Sequence, residues 1–191
     1  MYNYVKNDSR QQIEIMRRCT ATALHDVFDF TEDLDDTFKI LFFHATGIST
    51  IALFFGCTEI EVMRKIQTWG LYDWYNSPQF QLQLREHNAP FDNTTDHDVK
   101  FQRVGAMRSA TAAFDCNRYV WTEEKRQFLF WMFCMGEDIS EIAVCLECTE
   151  PMVMQKILDE DFYRSMNFPL FSYCNQEIRD RYLENYCANT K

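Results

Sequence analysis

Residues 30–66 and 121–157 are two versions of one text. The first reads FTEDLDDTFKILFFHATGISTIALFFGCTEIEVMRKI and the second WTEEKRQFLFWMFCMGEDISEIAVCLECTEPMVMQKI, equal in length and aligned without a gap. Identical pairs are Thr31/Thr122, Glu32/Glu123, Phe42/Phe133, Ile48/Ile139, Ser49/Ser140, Ile51/Ile142, Ala52/Ala143, Cys57/Cys148, Thr58/Thr149, Glu59/Glu150, Val62/Val153, Met63/Met154, Lys65/Lys156 and Ile66/Ile157. Ordinary residue frequencies would give roughly two matches over such a stretch. The same offset pairs Met16/Met107, Arg17/Arg108, Thr20/Thr111 and Ala21/Ala112 upstream, and Tyr72/Tyr163, Asn76/Asn167, Pro78/Pro169, Phe80/Phe171 and Glu86/Glu177 downstream. Nearly the whole chain is therefore one unit built twice, residues 1–91 and 92–191, and any fold must accommodate that unit in both places.

Length and composition narrow the architecture. The chain has 191 residues, 47% hydrophobic and 16% aromatic, enough to bury a substantial core. Two copies are too few for an open solenoid, so two lobes that dock are expected. No segment reaches the roughly 18 apolar residues of a membrane span, and the opening MYNYVKNDSRQQ is too polar for a signal peptide. An intracellular setting with the eight cysteines as reduced thiols is the expectation. Five glycines in this length argue against a turn-rich β fold and favour an all-α one.

Within each unit the punctuation is that of three helices. Thr31 and Thr122 precede acidic pairs, as at a capped helix start where carboxylates face the positive end of the dipole. Leu34, Phe38, Leu41, Phe42 and Ala45, and Phe128, Trp131, Met132 and Met135, then recur at three and four up to Gly47 or Gly136. A shorter helix opens at Ser49 or Ser140, carries Ile51-Ala52 or Ile142-Ala143, and ends at Gly56 or Glu147. Thr58 opens the third, with Glu61 completing a capping box. Thr149 repeats the cap, with Pro151 in the first turn. A short second helix joined tightly to a third is a helix-turn-helix pattern. Flanking helices are expected over about 9–28, 79–88, 98–117 and 172–186, with a linker from Asn88 to His97.

An aromatic residue before Thr-Glu-Glu, a long amphipathic helix, an Ile-Ala pair and a Thr-capped third helix resemble the Myb/SANT-like, homeodomain-like class. The closer copy is Trp121 to Glu124 with Ile142-Ala143 and Thr149 to Ile157; Phe30 to Asp33 with Ile51-Ala52 and Thr58 to Ile66 is more divergent. The likeness covers about 37 residues in each half, with an incomplete tryptophan ladder. The resemblance implies either a basic third helix that reads DNA or an acidic one that binds protein, such as a histone tail.

Charge separates those two outcomes. The chain carries 19 basic against 29 acidic residues, 8 against 12 in residues 1–91 and 11 against 17 in 92–191. A DNA reader draws most of its non-specific affinity from phosphate neutralisation, which neither half is composed to supply. The third helices offer Glu59, Glu61, Arg64 and Lys65 in the first unit, and Glu150, Gln155, Lys156 and Asp159 in the second, as candidate partner contacts. DNA contact would fall to Arg64 and Lys65, with Arg17 and Arg18 from the upstream helix. The favoured expectation is an adaptor in a nuclear transcription or chromatin complex, binding protein subunits or a basic peptide by charge complementarity. The alternative is a DNA-binding regulator that reads through its first unit.

Other chemistry has weaker support. Cys145 and Cys148 form a CxxC that could hold zinc with Cys134 or Cys116. Because Cys145 aligns with Phe54, core thiols are the better reading, and no metal or cofactor is expected. His25, His44, His87 and His97 do not recur, and no phosphate loop, nucleophile elbow or HExxH is present, so no enzyme is expected. Seventeen Phe, nine Tyr and four Trp exceed what two small cores need. The aromatics after each third helix, from Trp69 to Phe80 and from Phe162 to Tyr173, are expected to fold back over their own unit and seal the interface, the alternative being an exposed groove for a partner.

Overall fold

The capping and spacing signals become helices at nearly the same offsets in both halves. The computed structural model of the chain describes residues 2–20, 31–78, 80 and 96–166, and these are all-α. In the first half lie α1 (Tyr2–Thr20), α2 (Glu32–Phe43), α3 (Ile48–Phe55), α4 (Glu59–Thr68) and α5 (Leu71–Tyr75). In the second lie α6 (Asp96–Thr111), α7 (Glu123–Cys134), α8 (Ile139–Cys145), α9 (Glu150–Asp159) and α10 (Phe162–Ser165), with a short 3₁₀ turn at Cys116–Arg118. The short α5 and α10 were not expected. The helices expected over 79–88 and 172–186 lie outside the described residues, Phe80 apart, as do most of the linker and residues 21–28.

The helix ends confirm some caps and move others. Thr58 and Glu61 form the expected capping box, the amide of Glu61 donating to Thr58 Oγ1 at 3.2 Å and that of Thr58 to Glu61 Oε2 at 2.7 Å. Thr122 and Thr149 accept from Lys125 and Met152 amides at 3.3 and 3.4 Å. Thr31 makes no side-chain cap, although its backbone is extended as at an N-cap. The second helices open one residue before the expected serines, with Gly47 and Asp138 at their N-caps. Ser49 and Ser140 are free for another task because they lie inside the helices, fully buried.

Seven apolar positions are fully buried in each half and match one for one, Ala52 with Ala143 among them. Phe38, Phe42, Ile48, Ile51, Val62 and Ile66 correspond to Leu129, Phe133, Ile139, Ile142, Val153 and Ile157. These residues belong to one continuous cluster rather than two. The expected pair of docked lobes is therefore two halves around a shared core, because α3 packs on α8 and α4 on α9 across the junction. The aromatics after the third helices enter this core as expected: Tyr72, Tyr75, Phe80, Phe162 and Tyr163 are buried. Trp74 stays 47% exposed, and Phe168, Phe171 and Tyr173 lie outside the described residues.

Each half also turns through the same three left-handed positions, with unequal residues. Gly56 (φ 67°) corresponds to Glu147 (φ 54°), Gly70 (φ 60°) to Asp161 (φ 53°), and Gly136 (φ 71°) to Ala45 (φ 53°). Glycine adopts this region freely, whereas a residue with a Cβ is strained by about 1 kcal/mol. Glu147 is exposed and follows α8 where Gly56 follows α3, so Glu147→Gly removes strain without opening a cavity. The expected gain is roughly 0.5–1 kcal/mol, read as a higher urea midpoint at unchanged m-value.

Candidate functional site

The third helices, where partner or DNA contact was expected, begin inside the protein. Glu59 and Glu150, the first residues of α4 and α9, are fully buried, and so is Arg17. Arg17 donates through Nε and Nη2 to both oxygens of Glu59, at 2.7–3.1 Å, and Arg108 makes the matching set to Glu150 at 2.8–3.1 Å. The candidate contacts Glu59, Glu150 and Arg17 are thus corrected to internal residues. A buried carboxylate is tolerated only with a close, hydrogen-bonded cation, and both glutamates have found theirs inside the chain.

Both ion pairs are completed from the opposite half. Arg17 Nη1 donates to the carbonyl of Phe133 at 2.5 Å and Nη2 to that of Glu137 at 2.7 Å, so a first-half guanidinium caps the C-terminal end of α7. Arg108 returns the arrangement, reaching the carbonyls of Phe42 at 2.5 Å and Thr46 at 2.8 Å beyond the end of α2. A cation there meets unpaired carbonyls and the negative end of the helix dipole. Each guanidinium also lies 4.1 Å from a ring centroid of the other half, Arg17 over Phe133 and Arg108 over Phe42. Tyr163 donates to Glu59 Oε2, and Tyr72 to Glu150 Oε2, each at 2.7 Å across the junction.

The buried serines finish the lattice. Ser49 Oγ donates to Glu59 and accepts from the amide of Ile139 at 3.0 Å, while Ser140 Oγ donates to Glu150 and accepts from that of Ile48 at 2.9 Å. Burial alone would lower the pKa of Arg17, but the carboxylate of Glu59 outweighs it and the net shift is upward. Arg108 follows the same balance with Glu150. Burial, and then the neighbouring carboxylate, push the hydroxyls of Tyr72 and Tyr163 well above their ordinary value. The site's chemistry is that of fixed charges in a closed lattice, with protons held on the tyrosines.

The remaining candidates divide between engaged and open. Arg18 is exposed, pairs with Glu14 at 2.8 Å and donates to the carbonyl of Met166. Lys65 meets Asp35 at 3.1 Å and lies 3.9 Å from the Trp69 ring centroid; Lys156 meets Glu160 at 2.7 Å. Glu61 is spent on its capping box. Gln155 donates to Asp159 at 2.7 Å on the exposed side of α9. Arg64 faces solvent on α4 beside Gln67 and Thr68. The structure gathers Arg17 with Glu59, and leaves Arg64, Gln155 and Asp159 outward on the two third helices.

Sequence reasoning overlooked Arg108, Ser49, Ser140, Tyr72 and Tyr163 as a set. The signal was present, since all of them, with Arg17, Glu59 and Glu150, are identities at the repeat offset, and charged or hydroxyl identities in two diverged halves mark positions under common constraint. Elsewhere Cys57 and Cys148 are buried, and among the described residues no group of three or more His, Cys, Asp or Glu could hold a metal. Burial pushes the Cys57 thiol up to about 12 and that of Cys148 to about 11.

Two expectations follow from this site. Arg108→Met leaves Glu150 charged and unpaired in the core and removes the cap from α2, so it should cost roughly 3–5 kcal/mol, seen in urea unfolding as one transition lost by both halves together. Because the folded pKa values of Cys57, Cys148, Tyr72 and Tyr163 lie above their unfolded ones, the folded state keeps protons that the unfolded chain releases. Their contribution is present below about pH 9 and is lost as pH rises from there, so the thermal midpoint should fall progressively on the alkaline side, while the exposed Cys19 and Cys116 react with iodoacetamide well before Cys57 and Cys148.

Comparison of the chain with protein-family models, with curated proteins and with solved structures finds no match.

Proposed function

We propose that the protein is a protein-interaction adaptor, built from two acidic helix-turn-helix units of Myb/SANT-like character, that docks basic subunits or peptides in a transcription or chromatin complex. The observation that carries this reading is the burial of Glu59 and Glu150. In helix-turn-helix proteins that read DNA, the first residues of the recognition helix enter the major groove and meet base edges. Here the first residue of each third helix is a carboxylate facing inward, so neither is free to meet a base.

Charge supports the same reading. Arg17 is buried, Arg18 and Lys65 have carboxylates beside them, and Lys156 is held by Glu160. A chain with 29 acidic against 19 basic residues steers basic partners and repels phosphate. Among the described residues no helix is long and apolar enough to cross a membrane. A nuclear setting follows from the Myb/SANT resemblance alone. The DNA-binding alternative rests on Arg64, which is exposed on α4.

Fluorescence anisotropy separates the two. A lysine- and arginine-rich histone-tail peptide should bind with an affinity that falls as salt rises, random duplex DNA should not bind even at low salt, and Arg64→Glu should leave peptide binding intact or strengthen it. Salt-sensitive DNA binding abolished by Arg64→Glu would overturn the adaptor reading in favour of the DNA reader.

A further inference from the structure

The contacts between the halves are reciprocal. Arg17 reaches Phe133 and Glu137 while Arg108 reaches Phe42 and Thr46; Tyr163 meets Glu59 while Tyr72 meets Glu150; Ser49 meets Ile139 while Ser140 meets Ile48. Contacts in which residue i meets j and the counterpart of j meets the counterpart of i define an isologous interface, the kind formed by a two-fold homodimer. Such an interface has an axis, and a residue on it meets its own counterpart. That residue here is the N-cap of the second helix, Gly47 in one half and Asp138 in the other.

At this position the two halves differ, and the difference is complementary. A Cβ added to Gly47 would lie well inside contact distance of the carboxyl group of Asp138. Gly47 has φ −65° and ψ 152°, which any residue adopts, so its backbone does not require glycine; the approach of Asp138 does. The carboxylate of Asp138, a residue only 5% exposed, serves both second helices at once. Oδ1 accepts from the Ser140 amide at 3.0 Å, capping α8. Oδ2 accepts from the Thr50 amide and from Thr50 Oγ1, each at 2.9 Å, capping α3 of the opposite half. Space at the axis admits one side chain, and one carboxylate satisfies both helix ends.

We propose that the junction is a pairing surface for the 91-residue unit, inherited from a symmetric homodimer, and that Gly47 with Asp138 has converted it into one that accepts only the unlike half. Two first halves would meet glycine to glycine and leave both second helices uncapped. Two second halves would bring two aspartates into the same buried space, where volume and like charge both oppose them. The partner that fits either half is the other kind of half, and a second copy of the chain can be engaged through this surface only by exchanging halves.

The test uses the full chain with the axis residues changed. Gly47→Asp creates the like pair and should lower the thermal midpoint by roughly 10 °C or more; Asp138→Gly loses two caps and should lower it by less. An exchange variant, Gly47→Asp with Asp138→Gly, and with Thr50→Glu and Glu141→Thr so that the hydroxyl follows the carboxylate, turns the axis around. It should recover more than half of the loss caused by Gly47→Asp and, like the parent, run as a single chain by light scattering. If Gly47→Asp is too unstable to fold, the exchange variant is compared with Asp138→Gly and should be the more stable of the two. An exchange variant no better than the single changes, or a Gly47→Asp chain as stable as the parent, would overturn the proposal.

Discussion

Two buried guanidiniums hold this structure to one arrangement. Arg17 and Arg108 are each ion-paired to a carboxylate of their own half and hydrogen-bonded to carbonyls of the other. A charge removed from water is costly unless every polar contact around it is met, so the halves cannot slide or separate without stranding an arginine, a glutamate and a helix end together. The apolar core supplies adhesion without direction. The arginines, serines and tyrosines supply the direction, which makes the junction specific rather than merely sticky.

That arrangement also decides which surfaces are left for a partner. By burying the first residue of each third helix, the charge lattice leaves exposed the outward sides of α4 and α9, which carry Arg64, Gln67 and Thr68 in one half and Gln155, Leu158 and Asp159 in the other. The two outward sides differ in charge although the lattice beneath them is the same. Duplication followed by divergence has kept the arginine, glutamate, serine and tyrosine of the lattice identical in both halves, because a change there must be matched on the other side of the axis, while exposed positions have changed independently.

Much of the fold was legible in the sequence. Helix order, the Thr58 and Glu61 capping box, the Thr122 and Thr149 caps and the ends of the second helices at Gly56 and Glu147 are local matters, set by residues within four positions of one another. The alternation at three and four identified Phe38 and Phe42 as buried, and their counterparts Leu129 and Phe133 are buried too. The site was legible only in part. Glu59 and Glu150 read as surface acids in a helix first turn, where most such residues sit, because their partners Arg17 and Arg108 lie 42 residues upstream. Ser49 and Ser140 read as caps for the same local reason, whereas their hydroxyls serve the opposite half from inside the second helices.

By itself, the sequence determined that the chain is all-α, that one unit is used twice, and where several of its helices are capped, since periodicity, capping and repetition are properties of neighbours along the chain. Only the tertiary structure decided that the two units share a core, that a pair of arginines crosses between them, and that Gly47 and Asp138 share the space of one side chain. Those facts depend on which residues meet across an axis, and a two-fold axis relates positions 91 residues apart that no local pattern connects.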